Sequence, residues 1–146
     1  MPKSDRAKYE VLQWLMFQMG GVGPMLGQAH HFRIYAPEKV QYGIDRYTNE
    51  ARRLYGVMDK QLALHPYIAG KTYSIADMAI FPWLRSWKNQ GIDWADYPRL
   101  KEWFDMISER PAVKRGCEVL ADLRQPLQND KKAMETLFGK AQYQKR

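Results

Sequence analysis

From Val40 to Leu62 an apolar residue recurs at every third or fourth position: Val40, Ile44, Tyr47, Ala51, Leu54, Met58 and Leu62. That period is one face of an α-helix. The other face carries Asp45, Glu50, Arg52, Arg53, Asp59 and Lys60. The length of the run marks it as a spine on which other helices pack. Pro37 falls at its expected first turn, where a missing N–H costs nothing, and Pro66 marks its end.

A second segment fixes a helix start. In Tyr73-Ser74-Ile75-Ala76-Asp77-Met78-Ala79-Ile80-Phe81-Pro82-Trp83, Ser74 can accept from early backbone amides. Asp77, three residues on, can return the bond to the Ser74 amide, with Tyr73 and Met78 at the positions of a hydrophobic staple. This reading accounts for Asp77 without a catalytic role. Pro82 lies inside the expected helix and frees the carbonyl of Met78.

Around these two, further helices are expected. The first starts after Ser4 or Asp5 and runs to Met19, with Tyr9, Leu12, Met16 and Met19 as one stripe. Val11, Trp14, Leu15 and Phe17 widen that stripe, so the helix is either buried or covered by another surface. Gly20-Gly21-Val22-Gly23-Pro24 reads as its end. This segment lacks the Lys-Ser/Thr ending of a nucleotide-binding loop. Tyr97-Pro98 and Arg110-Pro111 open two short helices. Leu100, Trp103, Phe104 and Ile107 face inward in one, and Val113, Cys117 and Leu120 in the other. The expected architecture is all-α, with residues 1–122 as one helical domain and 123–146 as a polar C-terminal extension. In that extension Met134, Leu137 and Phe138 are candidates for weak docking.

The chemistry-bearing residues form no recognisable constellation. His30 and His31 are adjacent and share no helix face, and neither His65 nor Cys117 stands at metal-ligand spacing. Cys117 reads as a core thiol. The formal charge of +7 is scattered over several segments, which favours a solvated surface over a nucleic-acid-binding stripe. No apolar run is long enough to span a bilayer. The single cysteine fits a reducing, cytoplasmic setting.

Several long motifs in order carry a resemblance: EVLQWLMFQMGGVGPMLGQAHHF, APEKVQYGIDRY, EARRLY and YSIADMAIFPW. From Tyr9 to about Leu120 the chain resembles the C-terminal helical domain of glutathione transferases. The likeness is narrowest to the bacterial Nu class, whose members also resemble the yeast prion protein Ure2. The resemblance implies a parent that uses glutathione as co-substrate, in disulfide reduction or transfer. It also implies a thioredoxin-like domain holding most of the glutathione site, and a homodimer. The chain begins where the helical domain begins, so these 146 residues are expected to lack that domain and to be inactive alone. No catalytic residue is assigned. By resemblance, Arg46 in IDRY pairs with a glutathione carboxylate, or else is a surface arginine. Trp14, Phe17 and Met25 line the cleft or interface, or else are ordinary core. His31 and Arg33 lie beside the cleft. A non-enzymatic interaction or dimerisation domain is the alternative.

Overall fold

The computed structural model describes residues 1–144. Seven α-helices occur among them: α1 (Asp5–Phe17), α2 (Gly23–His30), α3 (Gln41–Leu62), α4 (Ile75–Leu84), α5 (Pro98–Ser108), α6 (Pro111–Glu118) and α7 (Lys131–Phe138). No strand is present among the described residues, and one isolated bridge joins Tyr67 and Gly70. The domain is all-α, as expected.

The spine is real. Ala51, Leu54, Met58 and Leu62 of α3 are buried, together with Tyr55, and α2 and α5 pack against them. The helix starts at Gln41, later than Pro37 would place it. Val40 has an extended backbone and is exposed. Residues 36–40 instead bridge to α3, with Lys39 Nζ donating to the Arg33 carbonyl.

The largest departure concerns Gly20–Pro24. The first helix does not end there. The backbone stays right-handed through a π turn, Gln18–Val22, and continues as α2. Pro24 has no N–H to return to the carbonyl four residues back. The widened turn absorbs this, because the Gly23 N–H reaches five residues back to the Gln18 carbonyl. Gly23 also sits in tight space. A Cβ there would stand 2.9 Å from Gln18 Nε2 and 3.1 Å from the Trp83 ring. A second π turn, His31–Tyr35, follows α2, and the Ala36 N–H donates to the His31 carbonyl at 2.8 Å.

The widened turn also separates two faces. Val11, Gln18 and Val22 point inward, with Trp14 and Phe17 packed on the core. Of the expected stripe, Tyr9, Met16 and Met19 point outward, at 65%, 57% and 59% exposed, while Leu12 is half-buried.

The start of α4 follows the reading from sequence. The Ser74 hydroxyl accepts from the Ala76 amide, and Asp77 accepts from the Ser74 amide at 2.9 Å. Met78 is half exposed, and Tyr73 lies under the Arg110 guanidinium at 3.8 Å. α5 is capped from a distance. Tyr97 at its N-cap offers no side-chain bond, and Asp59 of α3 accepts from the Arg99 and Leu100 amides, both at 2.9 Å. Asp59→Ala is expected to cost about 1 kcal/mol, read as a shift in the urea midpoint. A midpoint within error of the parent would show that water replaces this cap.

α6 ends at Glu118, so Leu120 is not inward. It is 62% exposed and stands in the left-handed region at φ 55°. Cys117 is half-buried at the core's edge, less enclosed than a core thiol. In the extension, the Phe138 ring stacks on Tyr35 at 5.3 Å and lies 5.0 Å from His31, while Leu137 stays exposed.

Candidate ligand-facing site

Two π turns in one helical run are unusual, and such turns are frequent at functional sites. Five of the six candidate residues sit on or beside them. Trp14 and Phe17 precede the first turn and meet edge to face at 5.2 Å, both half-buried. Met25 follows that turn on α2 and is half-buried. His31 and Arg33 belong to the second turn. His31 meets Phe32 edge to face at 5.4 Å and faces Phe138.

Arg33 reaches back across the fold. Its guanidinium covers Gly91, where a Cβ would lie 2.7 Å from the guanidinium carbon, and its Nε is buried without a hydrogen-bond partner. Gly91 has φ 76°, so glycine serves both the backbone conformation and the close approach.

Arg46 stands apart, exposed on α3. No hydrogen bond joins it to the other five. Its nearest acidic candidate along the helix is Glu50, one turn on. That carboxylate is taken by Arg53 through two bonds of 2.8 and 2.7 Å. The hydrogen bonding to Arg53 holds Glu50 below the usual carboxylate range, and the charges of Arg53 and Arg46 add to it. Arg46 has no ion pair among the described residues. It is therefore a guanidinium with all its donors available to a carboxylate from outside.

Sequence reasoning passed over two buried amides. Gln18 sits at the first π turn, against Gly23. Gln90 takes the Tyr55 hydroxyl and donates to the Trp83 carbonyl, each at 2.8 Å. Neither has a local sequence signal, because each is defined by partners distant in the chain or by an irregular turn.

His30 closes α2, with its ring stacked on Tyr35 at 4.8 Å and Nε2 buried without a partner. Burial holds its imidazole below the ordinary value of 6.5. The unfolded chain therefore takes up this proton first as pH falls. Stability declines from about pH 6.5 downward until folded His30 titrates as well. Urea midpoints measured between pH 7.5 and 5 are expected to show a shallower acid slope in His30→Phe than in the parent. An unchanged slope would remove His30 from the account.

A family model described as glutathione S-transferase, C-terminal domain, matches residues 41–105, the stretch that holds α3, α4 and most of α5. The chain carries the C-terminal helical domain of the glutathione transferase family. Among relatives of this transferase domain, the disulfide-bond oxidoreductase YfcG of Escherichia coli K12 is 50% identical over 108 residues. That match covers 74% of this chain and 50% of the relative. The disulfide-bond oxidoreductase YghU of the same organism is 43% identical over 124 residues, covering 80% and 43%. The chain spans about half the length of the curated relatives it matches.

Solved structures agree. A glutathione transferase from Burkholderia graminis, with two glutathione molecules bound per subunit, superposes with TM-score 0.75 at 37% identity over 81% of this chain and 52% of that one. Ure2p in complex with glutathione superposes with TM-score 0.74 at 32% identity, over 78% and 57%. No helix among the described residues is long and apolar enough to cross a membrane. No group of three or more potential metal ligands occurs among them.

Proposed function

We propose that this transferase domain is the helical half of a glutathione-dependent disulfide oxidoreductase, and that it is catalytically silent by itself. The observation that carries the reading is the likeness at 50% and 43% identity to two relatives that are both disulfide-bond oxidoreductases. The free guanidinium of Arg46 fits it. Glutathione carries two carboxylates, and an arginine released from its helix neighbours can anchor one of them. Trp14, Phe17 and Met25 supply apolar surface around the first π turn, apart from that anchor, with His31 and Arg33 on the second turn. A thioredoxin-like domain then supplies the rest of the glutathione site and the groups beside the sulfur. The exposed row Tyr9, Met16 and Met19 fits a homodimer surface, and the parent works in the cytoplasm.

The test is a chimaera that joins this chain to the preceding half of the Escherichia coli relative YfcG. The chain alone is expected to show no glutathione-dependent reduction of a small dialkyl disulfide. The chimaera is expected to turn over. Arg46→Ala in the chimaera is expected to raise KM for glutathione about tenfold, the loss of one charge-assisted hydrogen bond, with kcat little changed. A folded but inactive chimaera, or robust turnover by the chain alone, would overturn the reading.

The second reading is a non-enzymatic interaction domain, and the same exposed row, which runs from α1 into the first π turn, favours it. It predicts a stable oligomer in light scattering together with an inactive chimaera.

A further inference from the structure

Along the first π turn runs an open groove of about 570 Å³, between the start of α2 and the end of α4. Gly23 and Gly27, one turn apart on α2, leave its floor bare, and the Trp83 ring forms a wall. The bare floor is not forced at Gly27. A Cβ there would stand 3.7 Å from the Trp83 ring, an ordinary contact, and glycine is a poor residue inside a helix.

Gln18 lines the same groove. It is only 5% exposed, yet its carboxamide makes no hydrogen bond among the described residues. Buried polar groups are seldom left unpaired, because desolvation without a partner is costly. Gln28 brings a second carboxamide to the rim, and it is exposed. No charged side chain lines the groove. The carboxylates and ammonium group of glutathione therefore find no counter-charge there. A carboxamide instead offers a carbonyl acceptor beside an N–H donor, the complement of a backbone peptide unit.

We propose that this groove holds an uncharged stretch of peptide backbone, and that the disulfide reduced by the parent is carried on a peptide or protein chain. The proposal rests on the disulfide-oxidoreductase reading and names its substrate class. The backbone lies over Gly23 and Gly27, and an apolar side chain packs on Trp83 and Met19. Gln18 accepts from one peptide N–H and donates to one carbonyl. In the reaction the substrate S–S bond breaks and its two sulfurs leave as thiols. Two glutathione thiols supply the two electrons and two protons, and their sulfurs join as glutathione disulfide.

The probe is a capped hexapeptide without charged side chains, closed by one internal disulfide. It is titrated into the full chain, and the Gln18 side-chain amide and Trp83 indole signals are followed by heteronuclear NMR. Both signals are expected to shift and to saturate by millimolar peptide. Gln18→Met keeps the length of the side chain and removes its amide. It is expected to weaken the peptide about tenfold with an unchanged melting curve. Gly27→Leu is expected to abolish binding by filling the floor. No saturable shift, or equal affinity in the parent and Gln18→Met, would overturn the proposal. Equally tight binding of the same peptide methylated at its backbone nitrogens would do so too.

The chimaera with the YfcG half separates this proposal from the reading beneath it. There Gln18→Met is expected to lower kcat/KM about tenfold more for the peptide disulfide than for a small dialkyl disulfide. A chimaera that reduces both, with no such difference, overturns the peptide assignment and leaves the reductase reading standing. A folded chimaera inert toward both, beside a chain that binds the peptide, overturns the reading and the substrate assignment with it.

Discussion

Replacement of Asp77 by alanine is expected to destabilise this domain by roughly 3–6 kcal/mol, close to the limit of what a domain of this size tolerates. Asp77 is fully buried, and its carboxylate joins three pieces of the fold. Oδ1 accepts from the Ile68 amide and from the Trp103 indole N–H, both at 3.0 Å. Oδ2 accepts from the Ser74 amide at 2.9 Å and the Ser74 hydroxyl at 3.1 Å. The loop before α4, the start of α4 and the middle of α5 therefore converge on one side chain. Alanine leaves three buried N–H groups without an acceptor, and each costs about 1–3 kcal/mol. That is far more than the loss of an ordinary cap, about 0.5–2 kcal/mol.

The melting temperature is expected to fall by on the order of 10 °C or more. Asp77→Asn keeps one acceptor oxygen and turns an NH2 toward the remaining donors, so it is expected to fall between the parent and alanine. Trp103→Phe removes one donor, and its effect is expected to be non-additive with Asp77→Ala in a double-mutant cycle. A loss below about 1 kcal/mol for Asp77→Ala would show that water replaces the carboxylate.

Gln90→Ala is the second large effect, at about 3 kcal/mol. The Gln90 side chain is almost wholly buried and bridges two elements. Its Oε1 accepts the Tyr55 hydroxyl of α3, and its Nε2 donates to the Trp83 carbonyl near the end of α4. Truncation strands a buried phenol and a carbonyl and opens a small void between them. Burial raises the Tyr55 phenol well above its ordinary range, with the nearby Tyr97 adding to the effect. The hydroxyl is therefore protonated at both pH 6 and pH 8, and the loss is expected to be the same at the two. Tyr55→Phe leaves only the amide oxygen stranded and is expected to cost less than Gln90→Ala. Urea unfolding at both pH values measures the pair.

Much of this was legible in the chain. The period of α3 names Ala51, Leu54, Met58 and Leu62 as buried, because that helix packs on neighbours along most of its length, but it passes over the equally buried Tyr55. The Ser74–Asp77 spacing names the start of α4, because capping is a local bond. The π turns were not legible. Gly20–Pro24 contains every local signal of a helix end, yet the Gly23 N–H reaches the Gln18 carbonyl and Trp83 of α4 packs against Gly23, contacts that no local pattern encodes. Leu120 fits the inward period of α6, yet the helix stops two residues earlier and the leucine takes a left-handed backbone. The Tyr9, Met16 and Met19 stripe has a good period but faces outward, since period alone does not say which face another element covers.

At the candidate site, Arg46 entered through resemblance, and its freedom is a fact of geometry. Glu50 stands four residues from Arg46 and three from Arg53, so spacing allows either pair, and the fold chooses Arg53.

The most direct test of the central claim is calorimetric titration of glutathione into the chain alone and into the chimaera with the YfcG half. The account predicts no saturable heat from the chain up to millimolar glutathione. It predicts a saturable site in the chimaera that Arg46→Ala weakens about tenfold. A defined stoichiometric site in the chain alone, indifferent to Arg46, would contradict it.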